Sequence, residues 1–134
     1  MRIPVSTALL AACLFADPAA AQAPGIVAPS EWKNQGGSTL RIETIDAGGK
    51  LSGAYINRAA GFRCQNIPYP VSGIVYGNAI TFTVKWESAQ ASCGSITTWA
   101  GYLADGALHT RWLLIRDGAS SDEHLLRGES TFRR

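Results

Sequence analysis

From Glu31 onward the chain alternates short β-branched and aromatic runs with turn residues at an even pace. No segment carries a convincing 3.6-residue apolar period. Strands are expected at about 31–34, 39–45, 51–57, 69–76, 79–86, 95–103, 107–115 and 123–132. Gln35-Gly36-Gly37, Asp46-Ala47-Gly48-Gly49, Gly77-Asn78, Ala104-Asp105-Gly106 and Asp117-Gly118 separate them, all with turn chemistry. Eight short strands, each apolar on one face, predict an all-β domain over 31–134. An eight-stranded antiparallel up-and-down β-barrel satisfies them best, because closure removes the sheet edges that invite aggregation. Residues 22–30 read as an irregular lead-in, with Pro24 and Pro29 blocking regular structure.

The N-terminus reads as an address. Arg2 precedes an apolar run to Ala16, followed by Asp17-Pro18 and the small residues Ala19-Ala20-Ala21. This is the pattern of a secretory signal peptide over 1–21, cut after Ala21, and it predicts a secreted or periplasmic protein. Leu10-Ala11-Ala12-Cys13 also resembles a lipobox, which would anchor a lipid at Cys13. Cys13 lies early for that, and a second cleavage signal follows it. Beyond 1–21, Cys64 and Cys93 remain, one in each of the longest stretches between strands, 58–68 and 87–94. In an oxidising compartment a disulfide is their expected use. Closing a loop of about 30 residues would stabilise the fold by roughly 3–4 kcal/mol. Two isolated cysteines with no His at ligand spacing do not make a metal site.

Composition narrows the partners. The 134 residues are 46% apolar and only 16% charged, with a net charge of +2 and no basic cluster. That argues against nucleic acid, which needs a concentrated basic surface. Outside the N-terminus no apolar stretch is long enough for a membrane-spanning helix. No nucleophile–base pair or metal constellation can be assembled, so catalysis is not expected.

Period two assigns the faces. Ile80, Phe82, Val84 and Trp86 share one side of the fifth strand, and Leu108, Thr110, Trp112 and Leu114 one side of the seventh. On the sixth, Ser95, Thr97, Trp99 and Gly101 align, and on the third, Leu51, Gly53, Tyr55 and Asn57. If the large aromatics mark the interior, the interior also collects hydroxyls and an amide, each costing about 1–3 kcal/mol if left without a partner. Two readings stay open on this pattern. Either the groups line a ligand cavity, or they bond to backbone and trapped water at a barrel mouth. Trp32 is expected in the core at the closed end. His109 and His124 are expected at the surface, and Lys33 and Arg58, which flank the supposed mouth, in an ordinary surface role rather than on the ligand carboxylate. Outward Leu113, Ile115 and Leu125 suggest a subunit interface.

Several of these stretches resemble the avidin/streptavidin family. Trp32-Lys33-Asn34-Gln35-Gly36-Gly37-Ser38-Thr39 is similar to its first hairpin, and Leu51-Ser52-Gly53-Ala54-Tyr55 to its third strand. Ser95-Ile96-Thr97-Thr98-Trp99-Ala100-Gly101 matches the Ser-x-Thr-x-Trp-x-Gly of the sixth. Thr110-Arg111-Trp112-Leu113-Leu114 and Gly128-Glu129-Ser130-Thr131-Phe132 resemble the last two. The matches are collinear from Glu31 to Phe132. Tyr55 to Gly61 and Cys64 to Pro70 resemble the rhizavidin-like branch of dimeric, disulfide-bearing bacterial avidins.

The resemblance implies noncovalent biotin capture without a cofactor, and a homodimer bridged internally between Cys64 and Cys93. By position, Asn34, Ser38 and Tyr55 would donate to the ureido oxygen, Asn57 would accept a ureido N–H, and Thr97 would meet the sulfur. Trp86, Trp99, Trp112 and Leu114 would wall the rings. Ser95 and the backbone near Ala59 to Gly61 would hold the carboxylate. Two positions depart from the pattern. Ser130 stands where the family has an Asp that accepts the second ureido N–H. Asp122-Glu123-His124-Leu125 lacks the Trp that reaches a neighbouring pocket in tetrameric members. A second function class remains, a secreted β-barrel inhibitor of a protease or lysozyme, which would need an exposed inserting loop or a free N-terminal arm such as Ala23-Pro24-Gly25-Ile26-Val27.

Overall fold

A computed structural model describes residues 25–134. The expected signal peptide, Cys13 and the start of the lead-in lie outside the described residues. Eight strands form one closed barrel: β1 (Ser30–Asn34), β2 (Thr39–Ile45), β3 (Lys50–Ile56), β4 (Pro68–Tyr76), β5 (Ala79–Lys85), β6 (Ser95–Ala104), β7 (Ala107–Arg116) and β8 (Leu125–Arg133). Each pairs antiparallel with the next, and β8 closes on β1 through Lys33↔Arg133 and Asn34↔Phe132. The expected strands therefore all form, with two adjustments at the ends. Residues 122–124 make a 3-10 turn, so β8 begins at Leu125. Asn57 and Trp86 fall just past their strands.

The two ends of the barrel differ. Turns at 46–49, 77–78 and 105–106 close one end within two to four residues each. The other end carries the loops 35–38, 57–67, 86–94 and 117–124. Trp32, Leu40, Ile42, Ile80, Phe82, Leu108 and Phe132 are fully buried inside the barrel. Such interior packing of alternating positions is what a barrel of this size requires. Trp32 sits in this core, its indole N–H donating to Ser30 Oγ at 2.9 Å. Ile26 joins the same core at 9% exposure, and Ser30 Oγ donates to the Val27 carbonyl at 2.6 Å. The described part of the lead-in is thus held against the barrel through Ile26, while Val27 is 43% exposed. Among the described residues no helix is long and apolar enough to cross a membrane.

Candidate functional site

The aromatic interior does not fill the barrel to the top. At the end bearing the long loops lies a cavity of about 450 Å³, within the usual range for small-molecule sites. Asn34, Tyr55, Asn57, Trp86, Ser95, Thr97, Trp99, Trp112, Leu114 and Ser130 all line it. Ser38 is the one proposed contact that does not. It is completely buried next to the lining Asn57, its hydroxyl accepting the Arg58 backbone N–H at 2.9 Å and lying 3.4 Å from Asn57 Oδ1.

The wall is built from stacked rings. Trp99 lies over Phe82 with centroids 4.8 Å apart and over Tyr55 at 4.7 Å. Trp86 meets Tyr55 and Tyr69 edge-on at 5.9 and 5.0 Å, arrangements that aromatic quadrupoles favour. Its indole N–H donates to Thr97 Oγ1 at 2.8 Å, which fixes the Thr97 rotamer. Trp112 lies where any side chain at position 128 would stand, so Gly128 is what lets this indole rest against β8. Trp99 Nε1 is a buried donor with no partner among the described residues.

The polar groups are aimed by backbone turns. Asn34 Oδ1 accepts the N–H groups of Gly36 and Ser38 at 3.0 and 2.9 Å. That local turn consumes the oxygen and leaves Nδ2 pointing inward as a donor, 3.4 Å from the Tyr55 hydroxyl and 3.5 Å from Ser130 Oγ. Gln35 holds the same turn against β8, donating to the Glu129 carbonyl at 2.9 Å and accepting the Thr131 N–H at 3.0 Å. Burial pushes the Tyr55 phenol up to about 12, and hydrogen bonds with Ser38 and Asn34 pull less strongly the other way. The phenol therefore remains protonated, and a donor, throughout the neutral range. Glu129 faces outward to Arg111 at 2.5 Å, so no carboxylate takes the place of Ser130 in the wall.

The loop 57–67 closes one side of the mouth and is tied down at several points. Asn57 Oδ1 accepts the Ala59 N–H at 3.0 Å, Asn57 Nδ2 donates to the Arg63 carbonyl at 3.1 Å, and the Asn66 N–H donates to the Asn57 carbonyl at 2.9 Å. Gln65 Nε2 bonds the carbonyls of Ala59 and Phe62 at 2.7 and 2.8 Å. Cys64 and Cys93 form a disulfide, joining this loop to the one between β5 and β6. That second loop is held from below by the Tyr69 hydroxyl, which donates to the Ala91 carbonyl at 2.9 Å.

Several lining residues were not expected from the sequence. Phe62 stands edge-on to Trp112 at 6.1 Å and forms a partial lid. Arg63, Arg116 and Leu126 also line the cavity. Period two extended to the end of β7 and the start of β8 would have found Arg116 and Leu126. Phe62 and Arg63 sit in irregular backbone that carries no period. Lys33 and Arg58 lie together on the outer wall beside Gly37 and Thr39, in keeping with the surface role expected of them. Lys33 is out of phase with inward Asn34, and the Arg58 guanidinium turns back to Thr39 Oγ1 at 3.0 Å.

The sequence and the barrel are similar to those of known proteins along the described chain. The sequence model of the Avidin family matches residues 25–134. The chain belongs to the avidin family. Afifavidin from Afifella pfennigii is 44% identical over 107 residues, 77% of this chain and 66% of that protein. Hoefavidin from Hoeflea phototrophica is 41% identical over 96 residues, 63% of this chain and 58% of that protein. The chain thus spans about two thirds or less of the length of these two avidins. Among solved structures, apo shwanavidin superposes with a TM-score of 0.79 at 50% identity, covering 81% of this chain and 96% of that one. A shwanavidin variant solved with biotin gives 0.79 at 49%, covering 82% and 97%. Rhizavidin gives 0.69 at 39%, covering 77% and 78%.

Proposed function

We propose that this protein binds biotin noncovalently in the mouth of its barrel and performs no catalysis on it. The observation that carries the reading is the cavity itself. Three indoles wall a space whose polar floor consists of donors and acceptors already aimed by turns and wall contacts. A flat bicyclic urea fits that chemistry. Its carbonyl oxygen takes the Asn34 amide and the Tyr55 phenol, donors held in a dry site where such bonds are stronger than in water. Solved complexes of a shwanavidin variant and of afifavidin with biotin support the choice of ligand.

Ser38 and Asn57 act as a coupled pair in this reading. Without ligand, the Ser38 hydroxyl lies within reach of Asn57 Oδ1, which also holds the Ala59 N–H. A ureido oxygen would draw the Ser38 proton away, which would free one lone pair of Asn57 Oδ1 to accept a ureido N–H. Ser130 would meet the second N–H, Thr97 the thioether, and Ser95 the carboxylate. Calorimetric titration with biotin tests the function: a stoichiometric, saturable heat is expected, and no heat at millimolar biotin would overturn it.

The Cys64–Cys93 bridge supports residence time, because it holds the loop in one shape and lowers the ordering cost of binding. Opening the bridge, confirmed by counting free thiols, is expected to speed biotin release about three- to tenfold in a chase experiment. An unchanged release rate would assign the loop's order to its hydrogen bonds alone. A disulfide also accords with export through the leader at 1–21. The protein is further proposed to form a homodimer through the outer face of β6 to β8. Ile96, Ile115 and Leu125 stand side by side there in register, and Leu113, Ile96 and Ile115 are exposed at 40–47%.

A further inference from the structure

The rim of the cavity has one sign of charge. Arg63 and Arg116 line it, and no Asp or Glu does. Neither guanidinium is paired with a carboxylate among the described residues, whose ion pairs are Arg41–Glu31, Lys85–Glu87 and Arg111–Glu129. Arg116 stands directly opposite Ser95 in the β6–β7 ladder. Opposed residues share a face, and the next pairs inward, Thr97↔Leu114 and Trp99↔Trp112, all line the cavity. Arg116 is therefore the outermost inward position of β7, beside the serine proposed to meet the ligand's tail. Arg63 approaches from the loop across the mouth. Its backbone is fixed on one side by Asn57 Nδ2 at 3.1 Å and on the other by the bridged Cys64.

We infer that Arg63 and Arg116 make the site selective for a ligand whose tail ends in a free, ionised carboxylate, over the same ring system joined through a neutral amide. The inference rests on the biotin reading and refines it, since the ring pocket alone does not distinguish the two forms. A carboxylate at the rim meets two cations and gains charge-assisted hydrogen bonds, whereas an amide gains neither. Both arginines are solvent-exposed, so the gain is moderate and is reduced by salt. Part of it should appear as faster association, because uncompensated charge steers an oppositely charged ligand.

The test titrates the protein with biotin and with biotin carboxamide, at about 50 mM and about 500 mM salt. Biotin is expected to bind about three- to tenfold tighter than the amide at low salt, with the ratio shrinking at high salt. In the Arg63→Gln/Arg116→Gln double variant the ratio should fall to near one. The Arg63→Lys/Arg116→Lys variant should restore most of it. Thermal melts of each variant establish that it folds. Equal, tight binding of both compounds by the unaltered protein, or a ratio untouched by salt and by the Gln pair, would overturn the rim's role and leave biotin binding standing. Failure of both compounds to bind would remove the proposed function, and the rim's selectivity with it.

Discussion

Ser130→Asp tightens biotin binding by about five- to 100-fold, as read in an equilibrium competition assay. The position is rigid: Thr110 Oγ1 donates to the Ser130 carbonyl at 2.8 Å, and the side chain is 4% exposed in the cavity wall. In the proposed biotin complex, the ring N–H that Asn57 does not serve would find only a hydroxyl there. A carboxylate is the stronger acceptor, about twice as strong as a neutral one, and a difference of roughly 1–3 kcal/mol corresponds to that range of affinity. Asn34 Nδ2, 3.5 Å from Ser130 Oγ, would help to hold the new charge. Desolvation would raise the pKa of the introduced carboxyl. Its advantage should therefore be present above that pKa and be lost as the pH falls through it. An affinity equal to or weaker than that of the unaltered protein would show that the hydroxyl already suffices.

Gly101→Ala costs at least about 3 kcal/mol of stability and lowers the melting temperature by at least about 12 °C, at roughly 4 °C or more per kcal/mol for a domain of this size. The reason lies in backbone, not side chains. A methyl group on Gly101 would overlap the carbonyl oxygen of His109 on β7, and Gly53 and Gly73 stand in the same relation to the carbonyls of Arg41 and Thr81. At these three points an adjacent strand passes through the space that a side chain would need. A carbonyl that belongs to a ladder cannot swing aside as a flexible side chain can. Such close passages go with the strong twist of a small closed barrel. Melting within a few degrees of the parent would mean that the strands separate there at little cost.

How much of this was legible in the sequence depends on how regular the backbone is. Along the strands, alternation placed Tyr55, Thr97, Trp99, Trp112 and Leu114 on the inner face, and the structure has each of them lining the cavity. Asn34 enters the site only through its match to the first hairpin of the avidin family, and the structure shows why the position works: its Oδ1 caps the turn at Gly36 and Ser38. The limits lay in the loops. Phe62 and Arg63 belong to a stretch where Gly61, Cys64 and Asn66 take positive φ, and a chain that reverses its direction so often erases any period. For Lys33 and Arg58 the surface role expected from the sequence holds: one is out of phase with inward Asn34 and the other folds onto the outer wall. Ser38 shows a subtler gap. It enters the site through the family resemblance alone, and the Arg58 N–H that occupies its hydroxyl comes from twenty residues away, a partner that no local pattern announces.

β1 runs toward the mouth and β8 away from it, so the start of the first strand and the end of the last lie toward the end sealed by tight turns, where Arg133 pairs with Ala107. The opening faces the opposite way. Any segment attached ahead of β1 or behind β8, whether a fused partner or a tether to a bead, would leave from the back of the barrel and point its opening into solution.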